Sequence, residues 1–280
     1  MSDEIEWVGN SMLQHGKENN RVYLMKLGKE DYPNIVQYIN NLAINDNYTK
    51  VTAKIPSNFK DAFMNDGYQQ EAYIKEYFAD NDDCLFLCKY FSKEREEFSD
   101  KNDILLLTQF CMEKATLSKK ASLDNTFKIQ LLDKTNISEI IDIYKKVFAS
   151  YPFPIFDGNY ILKTMNKNID YFGVFEGKKL ISIASTEMDF ENSAVEMTDF
   201  ATLPEYRGNS LSYHLLNEME KSVIEKDIRI AYTISRAKNT GINMTFAKMQ
   251  YELGGTLINN TNICSDIETM NVWYKKLINN

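Results

Sequence analysis

No run of 18 apolar residues occurs in the 280-residue chain, so no membrane-spanning helix is expected. Residues 1–20 are polar and acidic and lack the apolar stretch of a secretory leader, so the sequence is read as cytoplasmic. Cysteine is scarce. Cys84, Cys88, Cys111 and Cys264 fit buried thiols in a reducing compartment better than a disulfide framework. Cys84 and Cys88 lie four apart, but no second Cys or His pair is near enough to complete a zinc site, and no metal is expected. With two histidines only, His15 in the tail and His214 in a helical stretch, Ser-His-Asp catalysis is not expected. Positive charge is in deficit, 32 Lys and Arg against 40 Asp and Glu. The net charge of −8 argues against nucleic acid and anionic membrane as partners and suits a small cationic acceptor.

What is present is a soluble globular composition, 44% hydrophobic and 26% charged, in a chain long enough for one or two domains. Residues 1–20 read as a loose tail or a first strand. Strands are expected at 21–27, 49–55 and twice within 71–91, with helices at 33–45 and 57–65. Residues 92–103 turn strongly charged and 104–115 read as an apolar helix. The alternation then restarts: strands at 127–132, 171–176, 180–189, 194–202 and 228–235, helices at 137–149, 160–166, 211–227 and 241–251, and two closing strands at 256–263 and 269–277. Gly254-Gly255 reads as the terminator of the 241–251 helix. We divide the chain into an N-terminal half at 1–92, a charged linker and helix at 93–126, and a second domain at 127–280. Strands alternating with helices predict an α/β, or layered α+β, fold with a central mixed sheet. The strand–helix–Gly–strand order of residues 50–74 repeats that of 228–258, which suggests two related halves.

The most informative stretch is Glu196-Met197-Thr198-Asp199-Phe200-Ala201-Thr202-Leu203-Pro204-Glu205-Tyr206-Arg207-Gly208-Asn209-Ser210-Leu211-Ser212. It reads as a strand, a basic turn, and a helix whose Leu211, Leu215, Leu216, Met219 and Val223 face a core. Asn209 and Ser210 are good N-caps. The free N–H groups of the first turn, with the helix dipole and Arg207, form a cradle for a pyrophosphate.

That stretch resembles the acetyl-CoA signature of the GNAT acyltransferases, Arg/Gln-x-x-Gly-x-Gly/Ala after the fourth strand. Arg207 matches, while Ser210 and Ser212 stand where Gly is usual, so the loop is read as weakened rather than lost. The resemblance implies a GNAT fold preceded by a smaller degenerate GNAT-like half. It implies acetyl-CoA as co-substrate, held by Phe200, Ala201, Thr202, Arg207, Gly208, Asn209, Ser210, Leu211 and Ser212. In the family's fourth-helix pattern Asn243 takes the position of a pantetheine or bound-water ligand. Gln250 stands where the family has Tyr, so protonation of the leaving thiolate passes to Tyr251.

At a finer level the chain resembles the beta-lysine N-acetyltransferases. The likeness rests on residues 147–155 (VFASYPFPI), 196–202 (EMTDFAT), 231–237 (AYTISRA), 259–263 (NNTNI) and 268–275 (ETMNVWYK). It implies acetylation of the terminal amine of 3,6-diaminohexanoate to give a compatible solute. Another small amine, a polyamine or an amino sugar, and a non-catalytic acetyl-CoA-binding module stay open as alternatives.

The chemistry sets further expectations. An alkyl ammonium with pKa about 10.4 must lose roughly 3.4 units, or about 4.6 kcal/mol, to be neutral at pH 7, so a base is required. Asp199 is the favoured base and Glu196 the alternative, acting through water. Three apart on a strand, they point to opposite faces unless a bulge intervenes. Glu187 and Asp189 share a face of the preceding strand. Backbone N–H groups around Phe200 to Thr202 are expected to stabilise the oxyanion. In the loop after the 137–149 helix, Tyr151, Phe153 and Phe156 are candidates to clamp an aliphatic chain. Arg236, Asn259 and Asn260 are candidates for the substrate carboxylate, and Asp157 and Glu268 for its second ammonium.

Overall fold

The computed structural model describes residues 3–117, 122–263 and 265–277, so Cys264 lies outside the described residues. Its N-terminal part runs β1 (Glu4–Val8), β2 (Ser11–Gly16), β3 (Arg21–Lys26), α1 (Asn34–Asn45), β4 (Lys50–Pro56), α2 (Lys60–Asn65), β5 (Gln69–Ile74) and β6 (Cys84–Tyr90). Helices α3 (Lys93–Glu96) and α4 (Lys101–Leu117) lead into β7 (Phe127–Leu131), α5 (Ile137–Val147), α6 (Gly158–Met165), β8 (Ile169–Glu176), β9 (Lys179–Asp189) and β10 (Ala194–Thr202). Then follow α7 (Leu211–Ile224), β11 (Ile230–Arg236), α8 (Thr240–Lys248), β12 (Glu252–Ile263) and β13 (Asp266–Lys276). The expected alternation is present, and residues 4–16 form a hairpin, Glu4 pairing with His15.

All thirteen strands join one mixed sheet in the order β1-β2-β3-β4-β6-β5-β12-β13-β11-β10-β9-β8-β7. The order is mirrored about the β5–β12 junction. On one side β3 and β4 are parallel and β6 and β5 follow; on the other β10 and β11 are parallel and β13 and β12 follow. The strand–helix–strand echo seen in the sequence is β4–α2–β5 against β11–α8–β12.

Gly254 and Gly255 make this junction. Helix α8 ends at Lys248, and Gln250, at φ 64°, takes the left-handed position instead. The glycine pair lies inside β12, where an added Cβ would stand 2.1 Å from the Tyr73 carbonyl oxygen at position 254 and 2.2 Å from that of Glu71 at 255. The expectation of a helix terminator is therefore corrected: the glycines let the β5 backbone approach.

One apolar core lies within the C-terminal half under α5 and α7, and a second within the N-terminal half around Val22, Ile39, Val51 and Phe63. A third is shared, with Ile74, Tyr77 and Phe86 packing with Ala194, Tyr232 and Val272. As expected, Leu211, Leu215, Leu216, Met219 and Val223 of α7 are buried; in α5 Ile143 joins Ile140 and Tyr144 inward. The shared core requires a bent sheet. Five inter-strand steps separate β4 from β11, about 24 Å in a flat sheet, yet the Lys54 ammonium lies 3.1 Å from the Tyr232 hydroxyl.

Candidate active site

Strands β10 and β11 are paired only over Ala194–Glu196 against Ile230–Tyr232. Beyond that they part, with Thr198 to Thr202 along one bank and Thr233 to Arg236 along the other of a cleft of about 600 Å³. On its far side β10 stays paired to β9 through a bulge between Thr198 and Ala201, where Asp199 takes φ 55°. The extra residue resolves the question of faces: it turns Asp199 onto the side that Glu196 shares with Ser185. There the Ser185 hydroxyl donates to Asp199 Oδ2 at 2.6 Å and the Tyr151 hydroxyl donates to Oδ1 at 2.5 Å. Burial raises the Asp199 carboxyl above its ordinary range, and these donors act against it. Asp199 and Tyr151 both line the cleft.

Glu196 is registered against Glu187 across β9 and β10. Burial, and next the charge of Glu187, push the Glu196 carboxyl up to about 7. Burial also raises Glu187, with Asp199 as the next cause, although its side chain keeps accessible surface. Two carboxylates facing across a strand pair and a third one bulge away, the last of them lining the cleft, concentrate negative charge on this face of the sheet.

At the other end of the cleft, β10 leaves the sheet through Pro204 and a short turn into α7. Gly208 has φ 90° with open space around it, so glycine serves the dihedral rather than a close contact. Ser210 takes φ 56°, the conformation for which glycine is usual, and adopts it without glycine. It makes no capping bond, and Asn209 donates back to the Tyr206 carbonyl, so neither caps α7 as expected. The first bonds to the Ser210 carbonyl come from Tyr213 and His214, which leaves the amides of Leu211 and Ser212 outside the helix ladder. Arg207, Gly208, Ser210, Leu211 and Ser212 line the cleft, as do Phe200 and Thr202. Ala201 is buried behind them. Left-handed turn, unused amides and an exposed arginine fit a pyrophosphate.

Several expected site residues serve the framework instead. Asn243 is fully buried: its amide donates to the carbonyls of Arg236, Ala237 and Asn239, and its oxygen accepts from Asn271 and Trp273. Nothing is left over for a ligand; it fixes the β11–α8 turn that walls the cleft. Tyr251 is turned inward by the left-handed Gln250, packs on Phe246 at 4.9 Å, and lies outside the cleft lining. Burial and the Glu220 carboxylate hold its hydroxyl well above the usual range. Arg236 lines the cleft, but its Nε donates to Glu268 at 2.7 Å, so the two residues expected at opposite ends of a substrate hold each other. Asn259 and Asn260 form a seam with the N-terminal half. Arg95 donates to the Asn259 carbonyl and Arg21 to that of Asn260, while Thr52 donates to the Asn260 side chain. Asp157 is exposed and caps α6 through the Asn159 amide at 2.9 Å. Phe153 and Phe156 pack on the core, and only Tyr151 of that loop reaches the cleft.

Sequence reasoning missed Ser185, although it stands two residues before Glu187 on the same face. It also missed Lys54, Tyr77 and Tyr232, which meet only because the sheet bends. Among the described residues no group of three His, Cys, Asp or Glu is placed to hold a metal ion, and no helix is long and apolar enough to cross a membrane.

Splayed parallel strands, a left-handed turn at a helix N-terminus and a carboxylate between them form the cleft of an α/β protein whose relatives are N-acetyltransferases, the class to which this chain belongs. The chain is 38% identical over 275 residues to the beta-lysine N(6)-acetyltransferase of Methanococcus maripaludis, a match covering 98% of both chains. It is 32% identical to the Methanosarcina mazei beta-lysine N(6)-acetyltransferase, covering 84% of this chain and 94% of that one. It is 30% identical to the N-acetyltransferase YodP of Bacillus subtilis, covering 95% and 96%. No family model matches the chain. The chain belongs to the beta-lysine N(6)-acetyltransferase family.

Proposed function

We propose that this protein transfers the acetyl group of acetyl-CoA to N6 of beta-lysine, 3,6-diaminohexanoate, in the cytoplasm, yielding a zwitterionic compatible solute for osmoadaptation. The observation that carries this reading is the 38% identity to a beta-lysine N(6)-acetyltransferase over 98% of the chain. Bound acetyl-CoA supplies the activated acyl group. The residues of the chain do the rest. The amides of Leu211 and Ser212 and the Arg207 guanidinium hold the pyrophosphate. Asp199 takes a proton from the N6 ammonium, with Tyr151 and Ser185 fixing its carboxylate so that it meets the amine in one orientation; the neutral amine then forms the C–N bond, the C–S bond to CoA breaks, and the second proton lost by the nitrogen leaves with the thiolate as CoA thiol. Backbone amides of the bulged segment around Phe200 to Thr202 receive the charge that develops on the carbonyl oxygen. Release of free CoA thiol with a panel of beta-lysine, spermidine and an amino sugar tests this reading. Turnover is expected with beta-lysine well above the others; equal rates would mark a general amine acetyltransferase, and no turnover a binding module.

Two further results are expected. Arg207→Ala weakens CoA binding by about 1–3 kcal/mol, the scale of a hydrogen bond to a charged group. Calorimetry showing unchanged affinity would remove the pyrophosphate from this turn. The second concerns pH. Glu196, pushed to about 7 by burial and Glu187, is protonated below that value and ionised above it. Its added negative charge favours the cationic acceptor, so kcat/KM for the amine rises with pH through about 7. In Glu196→Gln that step disappears, leaving only the rise due to amine ionisation near 10. A step of unchanged position in the variant would assign it to another member of the carboxylate cluster.

A further inference from the structure

Three side chains of β9, Ser185, Glu187 and Asp189, lie on one face at two-residue spacing. Ser185 is bonded to Asp199, where the acetyl group is delivered. Asp189 accepts from the Tyr77 hydroxyl at 3.2 Å, and Tyr77 in turn lies 2.8 Å from the Lys54 ammonium. Lys54 comes from β4 of the N-terminal half. Its ammonium sits between two tyrosine rings, 4.4 Å from the centroid of Tyr77 and 4.9 Å from that of Tyr232. It bonds both hydroxyls, but among the described residues no carboxylate oxygen lies within 4.0 Å of it. Glu187 stands between these two ends, within the electrostatic reach of both Asp199 and Lys54, and its side chain is accessible although protein surrounds it.

A half-buried cation with no carboxylate within 4.0 Å, beside an accessible carboxylate that makes no ion pair among the described residues, complements the two charges of a zwitterion. From Ser185 to Glu187 is two residues of strand, about 7 Å, comparable with a four-carbon chain bearing an amine at each end. We propose that Lys54, held in place by the hydroxyls of Tyr77 and Tyr232, binds the carboxylate of the acceptor while Glu187 binds its inner ammonium, so that the N-terminal half supplies the determinant that selects an amino acid over a plain diamine. The proposal rests on the acetyltransferase reading and replaces Arg236, Asn259 and Asn260 as the carboxylate site. It also gives the N-terminal half a role in the active site.

The test compares kcat/KM for beta-lysine with that for butane-1,4-diamine, which keeps the nitrogen spacing and lacks the carboxylate, by thiol release. In Lys54→Met the ratio of the two should fall roughly 10- to 100-fold, through KM for beta-lysine, as expected for loss of a hydrogen bond to a charged group. Lys54→Arg should restore most of the ratio, and Glu187→Gln should lower both substrates together. An unchanged ratio in Lys54→Met, or parallel loss on both substrates without recovery in Lys54→Arg, overturns the subsite and leaves Lys54 a framework residue. If the wild-type protein does not turn over beta-lysine, it is the substrate reading that fails. The subsite is then judged on an ω-amino acid and its decarboxylated amine that the enzyme does accept, with the same collapse of ratio required.

Discussion

Asp199→Asn is expected to lower kcat by ~10²–10⁴, the usual scale for loss of a general base. Asn has nearly the same shape and still accepts the Tyr151 hydroxyl, but it cannot take up a proton. The deficit should shrink at high pH, where more of the acceptor is already neutral, and the affinity for CoA should be unchanged because the turn from Arg207 to Ser212 is untouched. Rapid-quench rates between pH 7 and pH 10 read this directly. Full activity at neutral pH would move the role to Glu196, Glu187 or ordered water. Loss of the folded state in this variant would assign Asp199 to the framework, as the anchor of the bulge that Tyr151 and Ser185 bind.

The largest effect on stability is expected from Asn243→Ala. Truncation removes the side-chain partner of the Ala237 carbonyl and of the Trp273 indole N–H in a fully buried site, and costs the Arg236 and Asn239 carbonyls and the Asn271 amide one bond each. A buried group left unsatisfied costs about 1–3 kcal/mol, and the network fails as a unit, so roughly 3–5 kcal/mol of unfolding free energy should be lost. A lower urea midpoint at unchanged slope measures it. Because this turn walls the cleft, CoA affinity should fall as well. A loss below about 1 kcal/mol would mean that water takes over the bonds and that Asn243 is free to serve a ligand.

The strand–turn–helix of residues 194–224 was legible in the sequence because each part carries a local signal: alternation in β10, Pro204 at the exit, a four-residue apolar stripe in α7. The bulge at Asp199 carried none, since Asp and Phe at 199 and 200 are ordinary strand-end residues, and only pairing with β9 shows the extra residue. Gly254-Gly255 misled for a related reason. Two glycines after a helical pattern usually end a helix, and their use as a seam for β5 depends on a strand just over 180 positions earlier. Asn243 was read as a ligand contact from the family's helix pattern, and Asn259 and Asn260 as N–H donors for the substrate carboxylate. The structure shows a different reason for those residue types: a buried turn and an inter-half seam both need side chains that donate and accept at once. Lys54 was beyond reach, as its neighbours Tyr77, Tyr232 and Glu187 are set by the bend of the whole sheet.

The central claim is that the acceptor lies with N6 against Asp199 and its charged end against Glu187 and Lys54. Locating the acetyl group in the product by NMR, after reaction of acetyl-CoA with beta-lysine, tests it most directly. A single product acetylated at N6 is expected. Acetylation at N3, or a mixture of the two, would reverse the substrate in the cleft and contradict it.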